Sequence, residues 1–76
     1  MIVKYINLLL IDSLEGQMKV SVKTRYSSVE EKATIEMLDA NTIKVVFENP
    51  VARITPGQSA VFYLGDIVVG GGKIFK

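Results

Sequence analysis

Cysteine and histidine are both missing from these 76 residues. The first absence excludes disulfides, thiolate metal sites and a cysteine nucleophile. The second removes the commonest general base and the commonest metal ligand. Eight carboxylates and three tyrosines remain for acid–base work, all in stretches that read as strand or turn. Composition therefore points to a binding or structural module and not to an enzyme. Long apolar runs are missing too. The longest, Ile6 to Ile11, includes Asn7. A membrane span needs about 20 apolar residues, so no membrane association is expected. Lys4 comes early and no small-residue cleavage site follows, so no secretory signal is expected and the expected location is cytoplasmic. A net charge of +1 gives no argument for nucleic acid and none against a local basic patch.

What is present is a set of alternating strands. The length suits one domain, which at this size buries only about 60% of its unfolded surface. A hydrophobic fraction of 49% is ample for one core. Val3 to Leu10 reads as a first strand, apolar on both faces in its second half. Residues Asp12 to Gly16 read as a polar turn or a short helical turn. Gln17 to Tyr26 is the clearest strand. Met18, Val20, Val22, Thr24 and Tyr26 share one parity, and Lys19, Ser21, Lys23 and Arg25 share the other. Glu30 to Met37 alternates again, with Ala33, Ile35 and Met37 inward. Thr42 to Phe47 follows the turn Asp39-Ala40-Asn41 and ends before Pro50. Val51 to Ile54 reads as a short strand. Thr55-Pro56-Gly57-Gln58 is a strong turn signal. Ser59 to Tyr63 then leads through Leu64-Gly65-Asp66 to a return strand, Ile67 to Val69, closed by Gly70-Gly71-Gly72 as flexible backbone. Turn signals roughly every 10 residues predict an all-β fold, a small six- or seven-stranded antiparallel barrel or sandwich, with no helix.

Four groups of residues are candidates for a site. Lys19, Lys23 and Arg25 form a basic stripe whose same-side neighbours lie about 7 Å apart, near the spacing of RNA phosphates. The plainer reading is a solvated face that pairs with Glu30 or Glu36 across a hairpin, and residue types alone favour it. The glycine run with Lys73 has the makings of a phosphate cradle. It lacks the following helix and the Gly-Lys-Ser/Thr ending, so the plainer reading is a place where two backbones approach too closely for a Cβ. Arg53, Thr55 and Gln58 surround the Pro-Gly turn, either to dock a partner or to tie off loop backbone. Tyr26, Phe47, Phe62 and Tyr63 have faces on which bases stack. Apolar neighbours place Phe47 and Phe62 in the core, with Tyr26 and Tyr63 as core residues whose hydroxyls reach the rim. No residue set reads as a metal site.

Thr55-Pro56-Gly57-Gln58-Ser59 followed by Val61-Phe62-Tyr63 and then Gly70-Gly71-Gly72 resembles the C-terminal end of the bacterial tRNA-specific 2-thiouridylases. Val22-Lys23-Thr24-Arg25-Tyr26 resembles the Val-Lys-x-Arg-Tyr strand of the same domain. Ala33-Thr34-Ile35 and Val45-Val46-Phe47 with Pro50 and Ala52 extend the likeness, which runs from about Tyr5 to Ile74. In that family an ATP-pyrophosphatase domain and a small central domain precede a C-terminal β-barrel similar to the second domain of translation elongation factors. The resemblance implies that this chain is that barrel. It also implies a parent enzyme that thiolates the wobble uridine of tRNA with ATP and magnesium, both held by the missing catalytic domain. The Ser-Gly-Gly-x-Asp-Ser nucleotide motif and both sulfur-relay cysteines are absent here, so no catalytic or cofactor residue carries over. Val68-Val69 stands where the family often has Cys-Leu, a conservative change.

The expectation is thus a non-catalytic barrel that helps hold tRNA or steadies the catalytic and central domains. The RNA-contacting candidates are Lys19, Lys23 and Arg25, then Arg53 and Lys73. Tyr26, Thr55 to Ser59, Phe62, Tyr63 and the three glycines carry the fold motif. The rival is a docking barrel with no RNA contact that turns Ile6 to Ile11 toward the missing domains. A third reading is an unrelated barrel of the elongation-factor kind.

Overall fold

A computed structural model describes residues 1–9, 16–24, 30–49 and 55–76. The candidates Arg25, Tyr26 and Arg53, the turn at 12–15 and the short strand at 51–54 lie outside the described residues. Six strands are described: β1 (Ile2–Leu8), β2 (Gln17–Thr24), β3 (Glu31–Asp39), β4 (Thr42–Phe47), β5 (Ser59–Leu64) and β6 (Ile67–Ile74). They close into one antiparallel barrel in the order β1-β4-β3-β2-β5-β6. No helix among the described residues is long and apolar enough to cross a membrane.

Alternation decides which side chains fill the interior. On β2, Val20 and Val22 are buried while Lys19 and Lys23 are exposed. Val20 stands opposite Ala33 and Met18 opposite Ile35, so the β2–β3 hairpin turns its apolar parity inward as one surface. Ile43 and Val45 on β4 and Phe62 on β5 add to the packing, and Phe62 is the largest fully buried side chain among the described residues. A barrel of this size has room only for such side chains, so its inside is a core and not a channel.

The turns use the predicted chemistry. Gly57 takes φ +92 after Pro56, and the Gln58 amide reaches the Thr55 carbonyl at 3.3 Å. This is a type II turn, which needs a residue tolerant of positive φ at its third position. Gly65-Asp66 joins the β5–β6 hairpin between Leu64 and Ile67. At the β3–β4 turn the Asn41 amide donates to the Asp39 carboxylate at 2.8 Å. That bond, and next the Thr42 hydroxyl, hold the Asp39 carboxyl below its ordinary range.

The glycine run departs from the expectation of a flexible end. β6 does not stop at Val69 but continues through the glycines to Ile74. Gly70 pairs with Phe62 on one side and Leu8 on the other, and Gly71 with Val61 and Asn7. The physical reason is crowding at the seam. A Cβ on Gly70 would overlap the Asn7 carbonyl oxygen, and one on Gly71 the Ala60 carbonyl oxygen. At Gly72 it would lie 2.6 Å from the Lys4 oxygen and 2.7 Å from Val3 Cγ1. Opposite the glycines β1 bulges: register slips between Lys4 and Asn7, so that Tyr5 and Ile6 together face one residue of β6. Tyr5 takes φ +55 there, a conformation bulky residues rarely adopt.

Candidate nucleic-acid interface

The outward parity of β2 carries Lys19, Ser21 and Lys23 across an exposed part of the barrel. Register brings two further side chains to this face. Ser21 stands opposite Lys32 on β3 and opposite Tyr63 on β5. Three lysines and a tyrosine therefore surround one serine. Lys19, Ser21, Lys32 and Tyr63 line a shallow hollow of about 260 Å³ together with Glu48, Leu64 and Gly65.

Tyr63 corrects the sequence reading. It is half-buried, but it has the opposite parity to buried Ala60 and Phe62 and shares the outer face with Ser21. Five-residue alternation put Phe62 inside, and strand geometry then requires its neighbour to point out. Lys32 is the residue that sequence reasoning left off the stripe. It sits on another strand, and only the hairpin register sets it diagonally between Lys19 and Lys23.

The remaining candidates are dispersed. Lys73 is exposed on β6, paired with Ser59 on one side and Lys4 on the other. β5 separates it from Lys23, so it does not join the lysine cluster. The Lys4 ammonium sits 4.1 Å from the centre of the Phe75 ring, a cation–π contact that occupies its charge locally. Thr55, Pro56, Gly57 and Gln58 serve the turn. The Gly57 amide donates to Ile74 and the Ile74 amide to Gln58, each at 2.8 Å, fastening the turn to the end of β6. Acidic groups also lie at the cluster, and Glu48 lines the hollow itself. Glu36 accepts from the Gln17 side-chain amide at 3.2 Å, one row beyond Lys19.

Chemically, the face offers ammonium groups, a hydroxyl and one aromatic ring. Such a set holds phosphates and stacks a base. It contains no paired nucleophile and base. Nor do the described residues fit the ATP and magnesium that the sequence resemblance implies for another part of a parent enzyme. The glycines sit in a strand with neighbours on both sides, not in a loop before a helix. No group of three or more His, Cys, Asp or Glu among the described residues is placed to hold a metal ion.

Comparison with known proteins bears on the whole chain. The family described as the aminomethyltransferase beta-barrel domain matches residues 1–74. The tRNA-specific 2-thiouridylase MnmA 1 of Thermoanaerobacter pseudethanolicus is 53% identical over 68 residues, covering 90% of this chain and 19% of that protein. The tRNA-specific 2-thiouridylase MnmA of Acetivibrio thermocellus is 52% identical over 69 residues, 91% of this chain and 19% of that protein. The MnmA of Escherichia coli O1:K1 is 52% identical over 59 residues, 78% of this chain and 16% of that protein. The chain thus spans about a fifth of the length of these relatives, and the matched stretch is their C-terminal end.

Proposed function

Because this chain belongs to the aminomethyltransferase beta-barrel domain family, and its relatives are 2-thiouridylases, we propose that it works as the C-terminal barrel of a tRNA 2-thiouridylase and helps hold the tRNA. The observation that carries this reading is the cluster of Lys19, Lys23 and Lys32 around Ser21 and Tyr63. Successive ammonium groups on a rigid sheet follow a phosphate backbone, and Tyr63 supplies a ring for one unpaired base. The chain is not itself the catalyst. ATP and magnesium are bound by the part of the enzyme outside it, and the enzyme works in the cytoplasm. A titration with a tRNA anticodon stem-loop, followed by amide shifts at two salt concentrations, tests the reading. Lys19→Ala with Lys23→Ala is expected to flatten the log–log salt dependence by about 1.4, at about 0.7 per lost single-strand contact. An unchanged slope would refute the RNA face.

A second reading, positioning of other domains without RNA contact, is favoured by one observation. Tyr5 and Leu9 are exposed together and line one trough, and β1 lies three strands from β2 in the barrel order.

A further inference from the structure

An open trough of about 770 Å³ runs along the barrel seam. Tyr5, Asn7 and Leu9 form one wall, Val61 and Ser59 the other, and Gly70 to Gly72 form a floor without side chains, with Lys73 at one end. Tyr5 is 78% exposed and Leu9 66% exposed. Tyr5 is also the described non-glycine residue with positive φ. Strained backbone persists where surrounding structure imposes it, and it gathers at binding sites. Here the bulge needs one left-handed residue, and that residue presents a large ring to the trough.

We propose that this trough is the seat of an apolar segment from the rest of the 2-thiouridylase polypeptide, with Tyr5 as its anchor. The proposal rests on the 2-thiouridylase reading but not on RNA binding. Two observations choose this occupant over RNA. Among the described residues a single ammonium, that of Lys73, lines the trough, too few for a phosphate backbone. And roughly four fifths of each relative's length lies outside the matched stretch, so this barrel has a large neighbour to meet. The floor shapes the contact. Both flanks of β6 are already paired, so the guest gains no ladder hydrogen bonds. It gains close van der Waals approach, because no Cβ stands between it and the strand. A carboxylate on the guest opposite Lys73 would complete the match.

The test uses the intact enzyme of Thermoanaerobacter pseudethanolicus carrying this chain in place of its own matching C-terminal stretch, without RNA. Hydroxyl-radical footprinting compares it with the 76-residue chain alone. Tyr5 and Leu9 are expected to lose about five-fold or more of their reactivity in the intact enzyme, as residues in a desolvated interface core do. Phe62, fully buried on β5, is expected to stay unreactive in both and so reports an intact barrel. Equal reactivity of Tyr5 and Leu9 in both forms would overturn the proposal. So would protection that appears only when the isolated chain is concentrated, which marks a second copy as occupant, or only when tRNA is added. Tyr5→Asn keeps a residue that tolerates positive φ. It is expected to leave the isolated chain's melting temperature unchanged or higher while restoring Leu9 reactivity in the intact enzyme; continued protection of Leu9 would remove Tyr5 as anchor and overturn the proposal as stated. Lys19→Ala with Lys23→Ala is expected to leave the protection intact, so that loss of RNA affinity and loss of docking are read separately.

Discussion

Two faces of one barrel use opposite means. The lysine face gathers long charged side chains from β2 and β3 beside Tyr63 of β5, and β2 pairs with both of its neighbours in unbroken register. The seam face removes side chains from β6 and bends β1 to fit, so its character lies in the backbone. One face is built by addition and the other by subtraction. The difference teaches where substitutions hurt. Lys19 and Lys23 project into water, and surface changes of that kind typically move stability by less than about 0.5 kcal/mol. The glycines have no such freedom, because a Cβ there meets carbonyl oxygens that are themselves part of the ladder.

Gly71→Val puts this contrast at its sharpest. Its branched side chain would start where the Ala60 carbonyl oxygen already sits. We expect a loss of about 4 kcal/mol or more, at the upper end for single substitutions. At about 4–8 °C per kcal/mol this lowers the melting midpoint by roughly 20 °C or unfolds the chain. A midpoint within a few degrees of the parent would mean that the seam is not closed as described. Lys32→Glu works on the other face. We expect about a tenfold loss of stem-loop affinity at low salt, with the melting curve little changed. A drop in stability with unaltered affinity would reverse the roles of the two faces. Tyr5→Asn is expected to act in the stabilising direction by about 1 kcal/mol, since it relieves a left-handed tyrosine. Denaturant midpoints decide this, and a clear loss would show that Tyr5 earns its place through packing. The smallest effect concerns Asp39. Its folded carboxyl titrates below the ordinary 3.8, so its contribution is complete above that pH and fades as the pH falls through the lowered value. Asp39→Asn should therefore differ from the parent at neutral pH and converge with it in acid, as followed by urea midpoints against pH.

Much of this was readable from residue order. The alternation of Met18, Val20 and Val22 against Lys19 and Lys23 named the buried face of β2, and the same argument served β3 and β4. Pro56-Gly57 announced its turn because only one φ pattern suits that pair. Period two tells which side of a strand faces in, but it does not name the strand beside it. The pairing of β2 with β5 is therefore invisible locally, and with it the placement of Tyr63 beside Ser21. The bulge at Tyr5 was hidden for a related reason. It answers to the glycines some 65 positions away, not to its own neighbours. Those glycines were legible as a close approach, and their lack of side chains was misread only as looseness.

The pairing of β1 with β6 also governs how the fold can be made. Val3 meets Ile74, and the Ile2 amide reaches the Lys76 carbonyl at 2.6 Å. During synthesis the β2–β3 and β3–β4 hairpins can zip as soon as their residues leave the ribosome, since their partners are close in sequence. The ring itself stays open until β6 has emerged. Until then β1 has no second partner and β5 presents a bare edge, an aggregation-prone stage that closing the last strand ends at once.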